Sequence, residues 1–189
     1  EEVGAPYRTE QLDYGTTMKA PAYLAINPMG KVPAIRHGAT VVTECAAICA
    51  YLADAFPEAG LAPAPGGPER GAYYRWLFFA AGPIEAAVTA KAFGFVVPSD
   101  KKGMAGFGSL EDVVGVLESH LTGKQFVAGD RFTAADVYLG SQIGRGLQLG
   151  TIEKRPALER YWAGISARPA AKRAREIDDA ILAERQPRS

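Results

Sequence analysis

Two short segments carry residue types that could bind a small charged peptide, and the first is Val32-Pro33. A peptide bond before proline costs only about 0.5–1 kcal/mol to adopt the cis form, so this dipeptide can turn the chain and expose the Val32 N–H and C=O groups. A ligand with a peptide backbone could pair with those groups as a strand pairs at a sheet edge. The alternative is an ordinary proline at the start of a strand.

The second segment is Glu44-Cys45, at the start of a helical pattern that runs to Phe56, with Thr43 as the predicted N-cap. Glu44 and Cys45 are predicted to be the first two helical residues. Free N–H groups and a partial positive charge of about half a unit favour an anion there. The Glu44 carboxylate could bind an ammonium group of the same ligand. The alternative is that Glu44 only interacts with its own helix dipole.

The cysteines and histidines offer little other chemistry. Cys45 and Cys49 are four residues apart, which fits neither a Cys-x-x-Cys redox pair nor a disulfide framework, and this favours a reducing compartment. Cys49 is predicted to be core, whereas Cys45 could be a reactive thiol, because a helix N-terminus can lower a thiol pKa. His37 and His120 lack neighbours at metal-ligand spacing, so no metal site is predicted.

The elements that position these residues follow from turn signals and periodicity. Residues 5–14 could form a strand, and Pro21 to Ile26 is predicted to be a short helix. Residues 32–35 and 40–42 read as a hairpin around a turn at 36–39. The proline- and glycine-rich segment 57–68 (PEAGLAPAPGGP) is predicted to be a linker between a domain at 1–56 and a domain at 69–189.

The second domain carries helix signals throughout. A kink is predicted at Gly82-Pro83. Ser109 with Asp112, and Thr133 with Asp136, are spaced as capping boxes, which gives Asp136 a structural role. Pro156 and Pro169 are predicted to open the last two helices, and residues 186–189 to form a frayed tail.

Composition excludes some classes of partner. The 189 residues include 21 basic and 21 acidic side chains, and the sequence has no apolar run of the roughly 18 residues that a membrane span needs. This balance predicts a soluble protein with neither nucleic acid nor a membrane as partner.

The motifs above resemble a known signature. Residues 27–35 (NPMGKVPAI) followed by 43–48 (TECAAI) are similar to the glutathione-binding signature of cytosolic glutathione S-transferases. Residues 129–136 resemble the capping box and hydrophobic staple of the family's helical domain, and residues 75–83 resemble bacterial members. The resemblance implies an α/β thioredoxin-like N-terminal domain and an all-α C-terminal helical bundle. It also implies a cis Val-Pro bond, a cytoplasmic homodimer, and glutathione as co-substrate without another cofactor.

The resemblance also implies roles for single residues. Val32, before the cis Pro33, would pair with the cysteinyl backbone of glutathione, and Glu44 with Cys45 would hold the γ-glutamyl group. Cys45 stands where the family usually has serine, which replaces a good hydroxyl donor by a weak S–H. Lys31, or alternatively Lys19, would bind the glycine carboxylate.

The implied activity is transfer of glutathione, as its thiolate, to a small hydrophobic electrophile. The electrophile is expected between the domains, with Tyr74, Phe78 and Phe79 as candidate contacts. The alternatives are a non-catalytic glutathione-binding or regulatory protein, or a glutathione-dependent isomerase, dehalogenase or peroxidase. Gly4 and Pro6 read as the end of a helix, so we expect the first strand, most of the first helix and the thiol-activating residue to lie upstream of Glu1.

Overall fold

The computed structural model describes residues 1–185, and residues 186–189, the predicted frayed tail, lie outside it. The described chain forms a two-stranded sheet and eight α-helices. The strands are β1 (Ala34–His37) and β2 (Thr40–Thr43); the helices are α1 (Pro21–Leu24), α2 (Cys45–Ala55), α3 (Pro68–Phe79), α4 (Glu85–Ala92), α5 (Leu110–Leu121), α6 (Ala134–Leu149), α7 (Pro156–Ser166) and α8 (Pro169–Arg185).

The predicted hairpin is confirmed, with a tighter turn than the sequence suggested. β1 and β2 pair antiparallel with Ala34 opposite Thr43 and His37 opposite Thr40. Gly38 and Ala39 therefore make the whole turn, and Gly38 has a φ of 59°, a conformation that glycine adopts at no steric cost. The predicted turn of residues 36–39 was too long, because Arg36 and His37 belong to β1.

The predicted strand at residues 5–14 is wrong. This segment has no regular secondary structure, and the sheet of the described chain contains β1 and β2 alone. A weakly alternating sequence becomes a strand only where a second strand satisfies its N–H and C=O groups, and none pairs with it here. Ion pairs connect this end of the chain to the C-terminal region instead: both Glu2 carboxylate oxygens accept from Arg168, just before α8, at 2.9 Å, and Glu1 pairs with Arg173 of α8 at 3.0 Å.

The helical part is built around α6, which packs against α2, α3 and α7. Trp76, Leu139 and Ile143 are fully buried at its centre. Three glycines of α6 let the neighbours approach closely: a Cβ on Gly144 would lie 2.6 Å from the Trp162 ring. The thioredoxin-like and all-helical fold class is confirmed, as are the first-turn prolines Pro156 and Pro169.

The predicted break near Gly82-Pro83 is present as a wide helical turn. Residues 80–84 form a π-helical turn that joins α3 directly to α4, with Pro83 inside it. Proline has no N–H to donate to the residue four positions earlier, so the backbone widens there. Such turns often lie at functional sites.

The segment predicted to link two domains contains a short 3₁₀ turn at Pro57–Ala59 and a loop up to Gly67, and α3 begins at Pro68. Within residues 1–185, no helix has both the length and the apolar character that crossing a bilayer requires.

Candidate functional site

The loop that precedes β1 is held by two buried side chains. Asn27, 3% exposed, donates from Nδ2 to the Lys31 carbonyl at 2.8 Å and accepts from the Met29 N–H at 3.1 Å. The Tyr23 hydroxyl donates to the same carbonyl at 2.6 Å. These bonds satisfy the Lys31 carbonyl oxygen within the protein. They also fix the direction in which the backbone enters Val32.

The Lys19 side chain stabilises the same loop through hydrogen bonds. Its ammonium donates to the Met29 carbonyl at 3.1 Å and to the Gly30 carbonyl at 2.9 Å. Lys31 has an exposed side chain, and its ammonium forms no ion pair with any carboxylate of residues 1–185. Of the two lysines predicted to bind a carboxylate, Lys31 is therefore better placed.

Gly30→Ala is expected to destabilise the protein by about 2–4 kcal/mol, because a positive φ and steric overlap act together. Gly30 has a φ of 56°, and a Cβ there would lie 2.8 Å from Lys19 Nζ and 2.9 Å from the Met18 carbonyl oxygen. Urea unfolding measures the loss. Gly38→Ala is the matched control: its φ is 59° but its Cβ would meet open space, so only the backbone cost of about 1 kcal/mol remains. Equal losses would contradict the predicted overlap.

Val32 presents the unpaired backbone that the sequence suggested. Its side chain is 47% exposed, its peptide bond to Pro33 is cis, and its N–H and C=O form no hydrogen bond within the described chain. Because Ala34 pairs with Thr43, the residues just before β1 and just after β2 are neighbours. Val32-Pro33 therefore lies beside Glu44-Cys45.

Glu44 occupies the N-cap of α2, so two details of the prediction were wrong: Thr43 is not the cap, and only Cys45 is within the helix. Glu44 has a φ of 70°, and it is the one described non-glycine residue with positive φ. This left-handed conformation cannot be read from a helical periodicity. It costs of the order of 1–3 kcal/mol and persists only where the surroundings impose it.

The first turn of α2 offers its amides to a ligand. No side chain caps the helix, and its first intrahelical bond runs from the Ile48 N–H to the Glu44 carbonyl. The N–H groups of residues 45–47 consequently point out of the helix start, where the helix dipole favours negative charge. An exposed carboxylate at Glu44 stands beside them.

The surroundings of Cys45 favour its neutral thiol form. Its half-buried position raises its pKa, and the negative charges of Glu85 and Glu44 raise it further. These effects oppose the lowering of the pKa that a helix N-terminus would cause, so they do not support a reactive thiolate at Cys45. Cys49 lies deeper, and burial raises its pKa to about 11, in agreement with its predicted place in the core.

A cleft of about 640 Å³ opens beside the first turn of α2. Its far wall is the wide turn and α4, and its rim includes aromatic side chains. The lining consists of Glu44, Cys45, Ala46, Ala81, Gly82, Glu85, Ala86, Thr89, Ala90, Phe95, Val97, Phe107 and Tyr138.

The three aromatic residues predicted for this cleft lie outside it. The Tyr74 hydroxyl accepts from Arg70 at 2.7 Å, Phe78 is 68% exposed, and Phe79 packs edge-on against Trp76. All three precede the wide turn at 80–84, whereas the cleft wall begins with Ala81. The sequence therefore predicted the correct helical stretch as cleft lining, but the predicted lining residues precede the observed ones by about one helical turn.

Comparison with known proteins decides the family. Models of the N-terminal and C-terminal domains of glutathione S-transferases match residues 1–55 and 84–169. A sphingomonad glutathione S-transferase, solved as a complex with glutathione, is 31% identical with a TM-score of 0.75, over 94% of this chain and 90% of that chain. Glutathione S-transferase F9 of Arabidopsis thaliana is 32% identical over 82% of this chain and 77% of that protein. This chain belongs to the glutathione S-transferase family.

A shorter match has a higher sequence identity. Fifty residues of this glutathione S-transferase are 50% identical to protein LigF of a Sphingobium strain, over 26% of this chain and 20% of that protein. The chain thus spans about a fifth of LigF in this match, and about three quarters or more of the other two proteins.

The six predicted site residues of this glutathione S-transferase lie at one end of the hairpin. Val32 and Pro33 enter β1, Glu44 and Cys45 follow β2, and Lys31 and Lys19 flank the loop before Val32. Glu44 and Cys45 also line the cleft.

Sequence reasoning missed Glu85 and Tyr138, which both line the cleft and are hydrogen-bonded to each other. The Tyr138 hydroxyl donates to Glu85 Oε2 at 3.3 Å and accepts from Gln142 Nε2 at 3.2 Å. Burial raises the pKa of Tyr138 to about 12, so it stays a phenol that can donate. The two residues are 53 positions apart, and no local pattern in the sequence links them. Within residues 1–185, no cluster of three or more histidine, cysteine, aspartate or glutamate side chains could hold a metal ion.

Proposed function

We propose that this glutathione S-transferase binds glutathione at the hairpin end and joins it, through its sulfur, to a small hydrophobic electrophile in the neighbouring cleft. The proposal depends on one arrangement: the unpaired backbone of Val32 lies beside an uncapped helix start whose N-cap residue, Glu44, is held at positive φ. A tripeptide with a charged head fits that arrangement better than an apolar ligand does.

Each part of glutathione has a complementary partner. The cysteinyl N–H and C=O pair with the backbone of Val32 as an added strand would. The γ-glutamyl carboxylate accepts from the amides at the start of α2, while its ammonium pairs with Glu44. The Lys31 ammonium pairs with the glycine carboxylate at the other end of the ligand.

This placement brings the sulfur to the mouth of the cleft. The cysteinyl residue lies between Val32 and the start of α2, and Glu44 and Cys45 line the cleft next to it. A thiolate there attacks the electrophilic carbon, an S–C bond forms, and the leaving group departs with the bonding electrons. Alanine, phenylalanine and valine side chains on the cleft wall suit an apolar substrate.

The test is calorimetric titration of glutathione, followed by conjugation to chlorodinitrobenzene monitored by absorbance. We expect binding with one site per chain and turnover that depends on glutathione. Absence of heat and of retention on immobilised glutathione would overturn the binding assignment.

A second candidate function is a glutathione-binding protein without turnover, and Cys45 favours it. A thiol with a raised pKa is a weaker hydrogen-bond donor than the serine usual at this position of the signature. Binding without conjugation would support this candidate. Activity with a halogenated acid, a hydroperoxide or a cis-trans isomer in place of chlorodinitrobenzene would assign the dehalogenase, peroxidase or isomerase alternatives.

A further inference from the structure

The cleft contains a carboxylate that glutathione binding, as proposed, leaves without a positively charged partner. Glu85 is the first residue of α4, and its exposed side chain lines the cleft together with Cys45. Its carboxylate lies near enough to Cys45 to raise the pKa of that thiol, and both residues line the cleft. In the described chain its only hydrogen-bond partner is the Tyr138 hydroxyl, at 3.3 Å, and it forms no ion pair.

The rest of the lining does not balance that charge. Glu44 and Glu85 are the charged residues among the lining side chains, and the lining of the described chain includes neither lysine, arginine nor histidine. Once the glutathione ammonium pairs with Glu44, Glu85 is the acid that faces the second substrate. The alanine and phenylalanine side chains of the lining carry no charge that could offset it.

We propose that Glu85 makes this cleft select uncharged or cationic electrophiles and reject anionic ones. The inference rests on the proposed function and names the substrate class of the same site. A substrate carboxylate in a cleft of this size must lie within several ångströms of Glu85, where repulsion between like charges is strongest. A substrate hydroxyl or amide can instead donate to the Glu85 carboxylate, which leaves a neutral electrophile with an added hydrogen bond.

The kinetic test uses a chloronitrobenzoate and its methyl ester, which differ by one negative charge. We expect wild-type kcat/KM to favour the ester, and we expect Glu85→Gln to reduce the ester-to-acid ratio by about tenfold to a hundredfold. The glutamine oxygen can still accept from Tyr138, so this variant keeps the local structure. Glu159→Gln, which removes an exposed acid of α7 outside the cleft, is the matched control and should leave the ratio unchanged.

A binding measurement separates failure of this inference from failure of the proposed function. S-benzylglutathione and S-(para-carboxybenzyl)glutathione place a neutral or an anionic group in the cleft without any reaction. Tighter binding of the neutral conjugate by the wild type, lost in Glu85→Gln, supports the inference. Equal binding of both conjugates by the wild type, or an unchanged ratio in Glu85→Gln, overturns it while the glutathione site stands. Failure of both conjugates and of glutathione itself to bind overturns the proposed function and the inference together.

Discussion

Replacement of Asp136 by alanine is expected to destabilise the protein by about 3–5 kcal/mol, because it removes the acceptor at the centre of a buried hydrogen-bond network. Asp136 is fully buried. Its carboxylate accepts from the Val127 N–H at 2.7 Å, the Thr133 N–H at 2.9 Å and the Tyr161 hydroxyl at 2.9 Å. Alanine would leave these donors unsatisfied and open a cavity beside α6. The urea-induced unfolding curve measures the loss.

The control for this prediction is the corresponding acid of α5, where the Ser109 side chain accepts from the Asp112 N–H but the reciprocal bond that completes the box in α6 is not formed. Asp112 occupies the same position in α5 but is exposed, and its carboxylate accepts from the Ser109 hydroxyl. Asp112→Ala should therefore cost only about 0.3–1 kcal/mol, the usual value for an exposed acidic side chain near a helix N-terminus, because the Ser109 cap bond to the backbone is kept. If the two variants lose the same stability, the buried network around Asp136 is not the source of its effect.

Glu44→Gly is expected to stabilise the fold by about 1 kcal/mol while it weakens glutathione binding at least about tenfold. Glycine adopts the 70° φ of residue 44 at no steric cost, so the backbone strain is relieved. The same change removes the carboxylate that pairs with the γ-glutamyl ammonium, and a hydrogen bond to a charged group contributes about 1.5–3 kcal/mol. Urea unfolding and calorimetric titration of glutathione measure the two effects.

Glu44→Ala separates the strain from the charge. Alanine keeps the positive φ and loses the carboxylate, so glutathione binding should weaken as much as in Glu44→Gly without the gain in stability. Wild-type affinity in Glu44→Ala would mean that Glu44 does not bind the ligand. A loss of stability in Glu44→Gly would mean that its backbone conformation is not strained.

The parts of this structure that sequence could predict are those set by local signals. Pro156 and Pro169 mark helix starts because the proline ring fixes φ and proline lacks an N–H. Thr133 and Asp136 predict a capping box because their three-residue spacing lets each side chain accept from the backbone N–H of the other. The segment Val32-Pro33 and the start of α2 could be linked because a hairpin lies between them.

The parts that could not be predicted depend on tertiary packing. The positive φ of Glu44 is imposed where β2 runs into α2, and helical periodicity assigned that residue to the helix. Glu85 and Tyr138 meet because α6 packs beside the wide turn that contains Pro83, a contact between distant residues. Burial and the charge of Glu85 raise the pKa of Cys45. The sequence shows only that Cys45 lies near a helix N-terminus, which by itself would lower that pKa.

The most direct test of the account is a titration of the isotopically labelled protein with glutathione, followed through its backbone amide resonances. The account predicts that the amides of Val32 and of Cys45 and its neighbours in the first turn of α2 shift together and saturate, whereas Gly38 at the far end of the hairpin does not. Shifts that leave Val32 and Cys45 unchanged, or that cluster elsewhere, would contradict the placement of the tripeptide on which the proposed function rests.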